Sequence, residues 1–368
     1  MKETIYFPGL NGLRFLAALT VIIHHIEQFK LIAKMDNYFH LPVIENMGGM
    51  GVTFFFTLSG FLLTYLLMLE KKQKSKVNVK KFYFRRILRI WPLYFLIVFI
   101  SFLITPNFSF TAVGLNFDGV NLSNFFYFIS MLANVALIVN PAVFGAAPLW
   151  SVSSEEHFYL IYPHVLNKFS VLSSKILVIG IILFNTIKLI VFFLGTKCQL
   201  SFLIFLYNYF NLFRIDCMLV GGIGACLYYH KSVYLKNIHA SITYRITLLS
   251  VFLFCFFDIK FGEFTQLVYS VFFIIIIMNV ATSKRKSYIL ENKVMNFLGR
   301  ISYGLYVYHG LIIGSVLLYF KVNNLYFNNV ILYFSVIFIT ILCSALSYFI
   351  LEKPFLKLKN KKYTIIAT

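Results

Sequence analysis

Apolar runs of about 20 residues, the length that crosses a bilayer as a helix, recur from one end of the chain to the other with short polar connectors between them. They predict helices near 10–30, 50–69, 90–106, 123–140, 172–194, 202–229, 243–258, 265–282, 300–320 and 328–352. The expected fold class is all-α, a polytopic membrane helix bundle with about ten transmembrane helices. One stretch resists this scheme. Residues 149–163, LWSVSSEEHFYLIYP, are too polar for a lipid-facing span and too apolar for a loop, so they predict a helix buried among the others or re-entrant. The first run carries no small-residue cleavage site and reads as a retained helix rather than a signal peptide.

Composition narrows the function classes. With 60% hydrophobic and 12% charged residues among 368, no soluble domain of useful size is expected beside the bundle. The formal charge of +20 does not point to nucleic acid, because the basic residues gather in connectors beside apolar runs. The clusters are EKKQKSKVNVKKFYFRRILR (70–89), KRK (284–286) and a terminal KLKNKK. An even number of crossings places all three, and both termini, on one side, which the positive-inside rule makes cytoplasmic. Cys198, Cys217, Cys226, Cys255 and Cys343 form no CxxC pair, so neither a metal site nor a disulfide framework is expected.

Ionisable residues inside the apolar runs are costly in a bilayer and need a partner or a purpose. In FPGLNGLRFLAALTVIIHHIEQFK, Arg14 and His25 are eleven residues apart. Eleven helical steps make about three turns plus 20°, so both side chains share one face, about 16 Å apart along the axis. Arg14 either snorkels to lipid phosphate or binds an anion. His25 is either a neutral histidine bonded to a helix carbonyl or a base, and His24, about 80° away by the same count, reads as packing or support. In KKFYFRRILRIWPLYF, Arg86 and Arg89 lie three apart and Arg85 four before Arg89. On a helix they form a cationic face that suits a multiply charged phosphate ligand or, alternatively, anionic lipid.

Ser151, Glu155 and Tyr159 fall at i, i+4 and i+8, one side of a helix. A buried carboxylate there either orients a histidine and binds an acceptor hydroxyl, or pairs with a buried cation such as Arg214. Arg214 and Asp216 open FRIDCMLVGGIGACL, whose glycines favour close helix approach. In GRISYGLYVYHG, Ser302, Tyr306 and His309 make a polar stripe at i, i+4 and i+7, either lining a cavity or forming an interhelical seam.

Taken together and in order, these segments resemble the membrane acyltransferase-3 family, bacterial integral-membrane O-acyltransferases. The resemblance rests on six blocks over nearly the whole chain: GLRFLAALTVIIHH with its R-x10-H spacing, GVTFFFTLSGFLL, FRRILRIWPLY with RxxR, WSVSSEEHFYLIYP with SxxxExxFY, LGRISYGLYVYHG and LEKPF. The usual WSLSVEEQFY form is altered at Val152, Ser154 and His157. The resemblance implies a membrane acyltransferase domain over 1–356, a basic cytoplasmic tail over 357–368, and a place in the bacterial cytoplasmic membrane. It implies acyl-CoA, usually acetyl-CoA, as donor substrate with no bound cofactor and no metal. The acceptor it implies is an envelope glycan or lipid-linked sugar hydroxyl. Arg14, Arg86 and Arg89 would bind the donor; His25 and Glu155 would be catalytic, with Glu155 or an interior hydroxyl orienting the histidine. Ser151, Tyr159, Ser302, Tyr306 and His309 would contact substrate or support those groups. Many relatives carry a further soluble SGNH-type domain; without one, this chain is expected to finish transfer itself or to use a separate periplasmic or extracellular transferase. The competing reading is a carrier or flippase for an anionic or glycan substrate, in which the arginines bind cargo and the histidine couples to protons; a third is a non-catalytic membrane scaffold.

Overall fold

The computed structural model describes residues 6–363 apart from 109, 116, 117, 170, 324, 326 and 327. In chain order the helices are α1 (Leu10–Ile32), α2 (Pro42–Lys74), α3 (Val79–Phe99), α4 (Leu122–Ile129), α5 (Ala133–Val139), α6 (Leu149–Lys168), α7 (Ser174–Cys198), α8 (Ser201–Phe213), α9 (Ile215–Tyr229), α10 (Leu235–Ile238), α11 (Ser241–Phe256), α12 (Thr265–Thr282), α13 (Lys284–Ser287), α14 (Lys293–Arg300), α15 (Ser302–Val322), α16 (Asn329–Ser347) and α17 (Lys353–Tyr363). No strand occurs among the described residues. The protein is an all-α, polytopic bundle.

Eight helical segments among the described residues are long and apolar enough to cross a membrane: 10–32, 42–74, 79–107, 174–198, 201–229, 262–282, 302–322 and 329–359. One of the ten predicted runs takes another form, and a second, near 243–258, is found as a helix at its predicted place but is short. Residues 123–140 fold as α4 and α5, of 8 and 7 residues, separated at Met131, whose φ is +58°. Each is only about 12 Å long at 1.5 Å per residue, because Asn121 caps α4 by accepting from the Asn124 N–H and the chain turns before α5. The run near 243–258 is α11, 16 residues long, shorter than the bilayer core requires. The polar stretch at 149 onward is the helix α6, with Ser151, Val152, Ser153 and Ser154 all buried.

The core is built on α2, which packs along α1, α9 and α12. Without a hydrophobic force between helices in lipid, close packing of small residues does this work. A Cβ on Gly60 would lie 1.9 Å from the Met218 carbonyl oxygen, and one on Gly221 2.0 Å from that of Thr57, so α2 and α9 touch backbone to backbone. The close approach predicted for the VGGIGA stretch is thus made against α2. Between α8 and α9 the helix breaks at Arg214, which adopts the left-handed region at φ 44°, ψ 42°.

The basic connectors gather at one end. Glu70 is buried and accepts from Arg85 at 3.0 Å and from the Asn78 N–H at 2.8 Å, fastening the α2–α3 turn. Lys71 donates to the Leu166 carbonyl at 2.8 Å, satisfying the C-terminal end of α6. The segment 284–290 abuts the start of α1, with Ser287 against Gly9 and Leu290 against Gly12. Helix α17 packs along α3. Of the tail expected over 357–368, residues 357–363 continue α17 and 364–368 lie outside the described residues.

Candidate active site

Two cavities in the bundle share part of their wall. The first, of about 990 Å³, is lined by side chains from α1, α2, α3, α6 and α15, among them Arg14, Arg86, Arg89, Ser151, Glu155 and Tyr159. The second, of about 1430 Å³, is lined by His24, His25, Gln28, Trp150 and neighbouring residues. Val52 of α2 and Tyr306 of α15 line both.

The helical count for α1 explains the arrangement. Arg14 and His25 share a face, and that face passes from the first cavity to the second. Helix α15 repeats the pattern: Ser302 lines the first cavity, Tyr306 lines both, and His309 is fully buried with its ring 4.7 Å from that of His25. The stripe expected at i, i+4 and i+7 therefore lines cavity and contacts α1 together.

In the first cavity the three guanidinium groups have one carboxylate among them. Arg14, Arg86 and Arg89 form no ion pair among the described residues, whereas Arg85 points away to Glu70. Arg86 lies over the Tyr159 ring at 4.7 Å and near Phe82 at 5.6 Å, cation–π contacts that fix its plane. Tyr159 donates to Glu155 Oε2 at 2.7 Å, and its oxygen is 2.6 Å from Ser59 Oγ. The i, i+4 pair read from the sequence is a hydrogen bond; Ser59, which sequence reasoning missed, sits inside the quoted block GVTFFFTLSGFLL. Glu155 is the carboxylate in the cavity lining, and Glu156 and Glu352 lie within electrostatic reach of Arg86 and Arg89 from behind it.

At the junction, the Tyr306 hydroxyl is 2.6 Å from Ser151 Oγ, and the two lie 3.1 and 3.2 Å from the Pro148 carbonyl. In the second cavity, His25 donates Nδ1–H to the Val21 carbonyl at 2.9 Å, an assignment that follows because a carbonyl only accepts. Its Nε2 is then the lone-pair nitrogen of the neutral ring. His24 donates in the same way to the Ile44 carbonyl at 3.0 Å. His309 bonds the Tyr306 carbonyl through Nδ1, and its buried Nε2 has no hydrogen-bond partner among the described residues.

The expected orientation of His25 by Glu155 is replaced by a different arrangement. Glu155 bonds Tyr159 among the guanidinium groups, and the backbone of α1 holds the histidine. Nor does Arg214 pair with Glu155 or Glu156: it donates to the Asn211 carbonyl and to Thr53 Oγ1, and its guanidinium lies over Trp150 at 5.5 Å. Two of the three departures from the usual motif face away from the first cavity. Ser154 contacts Trp150, Leu212 and Asn134, and His157 bridges the Met131 carbonyl and the Tyr209 hydroxyl, so they hold α6 to α5 and α8. Val152 lines the first cavity. Among the described residues no group of three His, Cys, Asp or Glu side chains gathers as a metal site would require.

A family model described as an acyltransferase domain matches residues 7–349. A Staphylococcus aureus (strain COL) protein named as a candidate O-acetyltransferase is 28% identical over 381 residues, covering 97% of this chain and 58% of its own length. The O-acetyltransferase OatA of S. aureus (strain NCTC 8325 / PS 47) is 26% identical over 396 residues, covering 100% of this chain and 60% of its own. The chain thus spans about 60% of the length of these relatives. No solved structure matches the chain.

Proposed function

The chain belongs to the acyltransferase family whose domain spans residues 7–349, and from that premise we propose that it is a membrane O-acetyltransferase acting on a hydroxyl of a cell-envelope sugar or polysaccharide, with cytoplasmic acetyl-CoA as donor. One observation carries the reading: a cavity lined by three guanidinium groups without ion-pair partners among the described residues shares the side chains of Val52 and Tyr306 with a cavity lined by His25. Arginine forks suit phosphate oxygens, and a buried unpaired cation is costly until an anion joins it.

Arg14, Arg86 and Arg89 bind the phosphate groups of the donor at the basic end of the bundle, which faces the cytoplasm together with both termini. Tyr159, held by Glu155 and Ser59, keeps Arg86 in place, and Glu155 offsets part of the guanidinium charge. The pantetheine arm carries the thioester to the junction at Tyr306. From the second cavity the acceptor hydroxyl approaches the thioester carbonyl. Its proton passes to His25 Nε2 as the new C–O bond forms; the C–S bond breaks, and the proton goes on to the departing CoA sulfur. General-base catalysis of this kind contributes about 10²–10⁴ in rate.

Purified protein in proteoliposomes, given acetyl-CoA on the side of the basic connectors and envelope glycan on the other, should release CoA thiol and add an acetyl mass to the glycan. His25→Ala should abolish both while the protein stays folded. Passage of substrate with no thioester cleavage would favour a carrier in place of an enzyme.

A further inference from the structure

We propose that Val52 and Tyr306 form the filter that sets the length of the transferred acyl group, an inference that rests on the acyl-CoA reading above. The side chains the two cavities have in common are these two. A donor whose phosphates sit with Arg86 and Arg89 enters the junction with its acyl end leading, because the alkyl group lies on the far side of the thioester carbonyl from CoA. For a two-carbon acyl group only a methyl precedes the carbonyl. Every added methylene must pass between Val52 and Tyr306 before the carbonyl reaches His25, and it then occupies space the acceptor hydroxyl needs.

Both members of the pair are held in place. The Tyr306 hydroxyl is fixed by Ser151 Oγ at 2.6 Å and the Pro148 carbonyl at 3.1 Å, and its ring meets Phe55 edge-on at 5.9 Å. The ring cannot swing aside without giving up both hydrogen bonds. Val52 is 6% exposed, β-branched and on the helix that packs along α1, so its rotamer is restricted. Ser151 is thereby a positioning residue: its hydroxyl engages Tyr306 and Pro148 rather than the thioester. Rejection by a rigid apolar wall is worth about 10–200-fold per methylene.

The test uses the full chain in its membrane, native envelope glycan as acceptor, and acetyl-, propionyl-, butyryl- and hexanoyl-CoA as donors. Wild-type protein should prefer acetyl over propionyl by about tenfold or more. Val52→Ala should shrink that ratio several-fold, and Tyr306→Phe, which frees the ring from its two bonds, should move it in the same direction. Val52→Ile should slow acetyl transfer yet leave the Kd for a non-cleavable acetyl-CoA analogue unchanged, a split that separates passage from binding. An unchanged donor ranking in folded Val52→Ala and Tyr306→Phe protein overturns the filter while leaving acetyl transfer intact. Absence of thioester turnover by wild-type protein with every donor overturns the acyltransferase reading, and the filter with it.

Discussion

The imidazole rings of His25 and His309 lie 4.7 Å apart, centroid to centroid, and each ties its Nδ1 to a carbonyl of its own helix. Paired this way, both rings are fixed in orientation and each keeps a lone pair on Nε2. On the proposed mechanism His25 gains charge during transfer, and the neighbouring His309 ring, packed against it, holds the imidazole in place. His309→Ala is expected to lower kcat for acetyl transfer about tenfold, short of the 10²–10⁴ lost with His25→Ala. Donor affinity should not move. A normal kcat in folded His309→Ala protein would remove His309 from the machinery.

Arg86→Ala and Arg89→Ala should each raise KM for acetyl-CoA about 10–100-fold, the equivalent of losing one charged hydrogen bond of about 1.5–3 kcal/mol. The KM for the glycan should stay the same. Lysine at either position restores charge but not the planar fork, so rescue should be partial. Arg85→Ala provides the contrast: Arg85 is bonded to Glu70, and its loss should loosen the α2–α3 turn without changing donor affinity. Initial-rate measurements over both substrates distinguish these outcomes.

Gly60 and Gly221 leave no room for a side chain between α2 and α9. Gly60→Ala or Gly221→Ala should destabilise the bundle by about 1–3 kcal/mol or more, because the obstructing atoms are backbone rather than a movable side chain. A lower melting temperature in detergent checks this. An unchanged melting temperature would mean that the two helices can separate at no cost.

Glu291 lies between spans and ties down the N-terminal segment through the Tyr6 hydroxyl, the Gly9 N–H and the Asn296 amide. Burial raises its pKa, but those three hydrogen bonds outweigh it and leave the carboxyl below its ordinary value. A carboxyl with a depressed folded pKa stabilises above the unfolded value of about 4.3 and loses that contribution as pH falls through the folded one. Glu291→Gln should therefore melt below wild type at pH 7, with the gap closing as the pH falls through about 4 and lower. A gap of constant size across that range would show that the carboxylate charge contributes nothing.

Much of this arrangement is legible in the chain because helical periodicity is a local property. The shared face of Arg14 and His25 and the Glu155–Tyr159 contact follow from counting residues, and both are seen. What counting does not give is which helix stands opposite. Nothing local tells that Glu155 faces guanidinium groups instead of His25, or that Ser59 meets Tyr159 from a helix a hundred positions away. The run at 123–140 reads as one span by hydropathy, yet it turns at Met131, where His157 donates to the carbonyl from α6. Tertiary hydrogen bonds of that kind are set by the whole fold, and at 123–140 one of them accompanies the turn that hydropathy alone does not foresee.

The meeting of the two cavities at Val52 and Tyr306 bears on the host membrane as well as on the proposed chemistry. An energised membrane can export a group bound to a bulky polyanionic nucleotide only if the nucleotide stays behind and ions do not follow. On the proposed reading, a phenol tethered to Ser151 and Pro148 at the wall the two cavities share would let a two-carbon fragment change hands while the nucleotide stays behind.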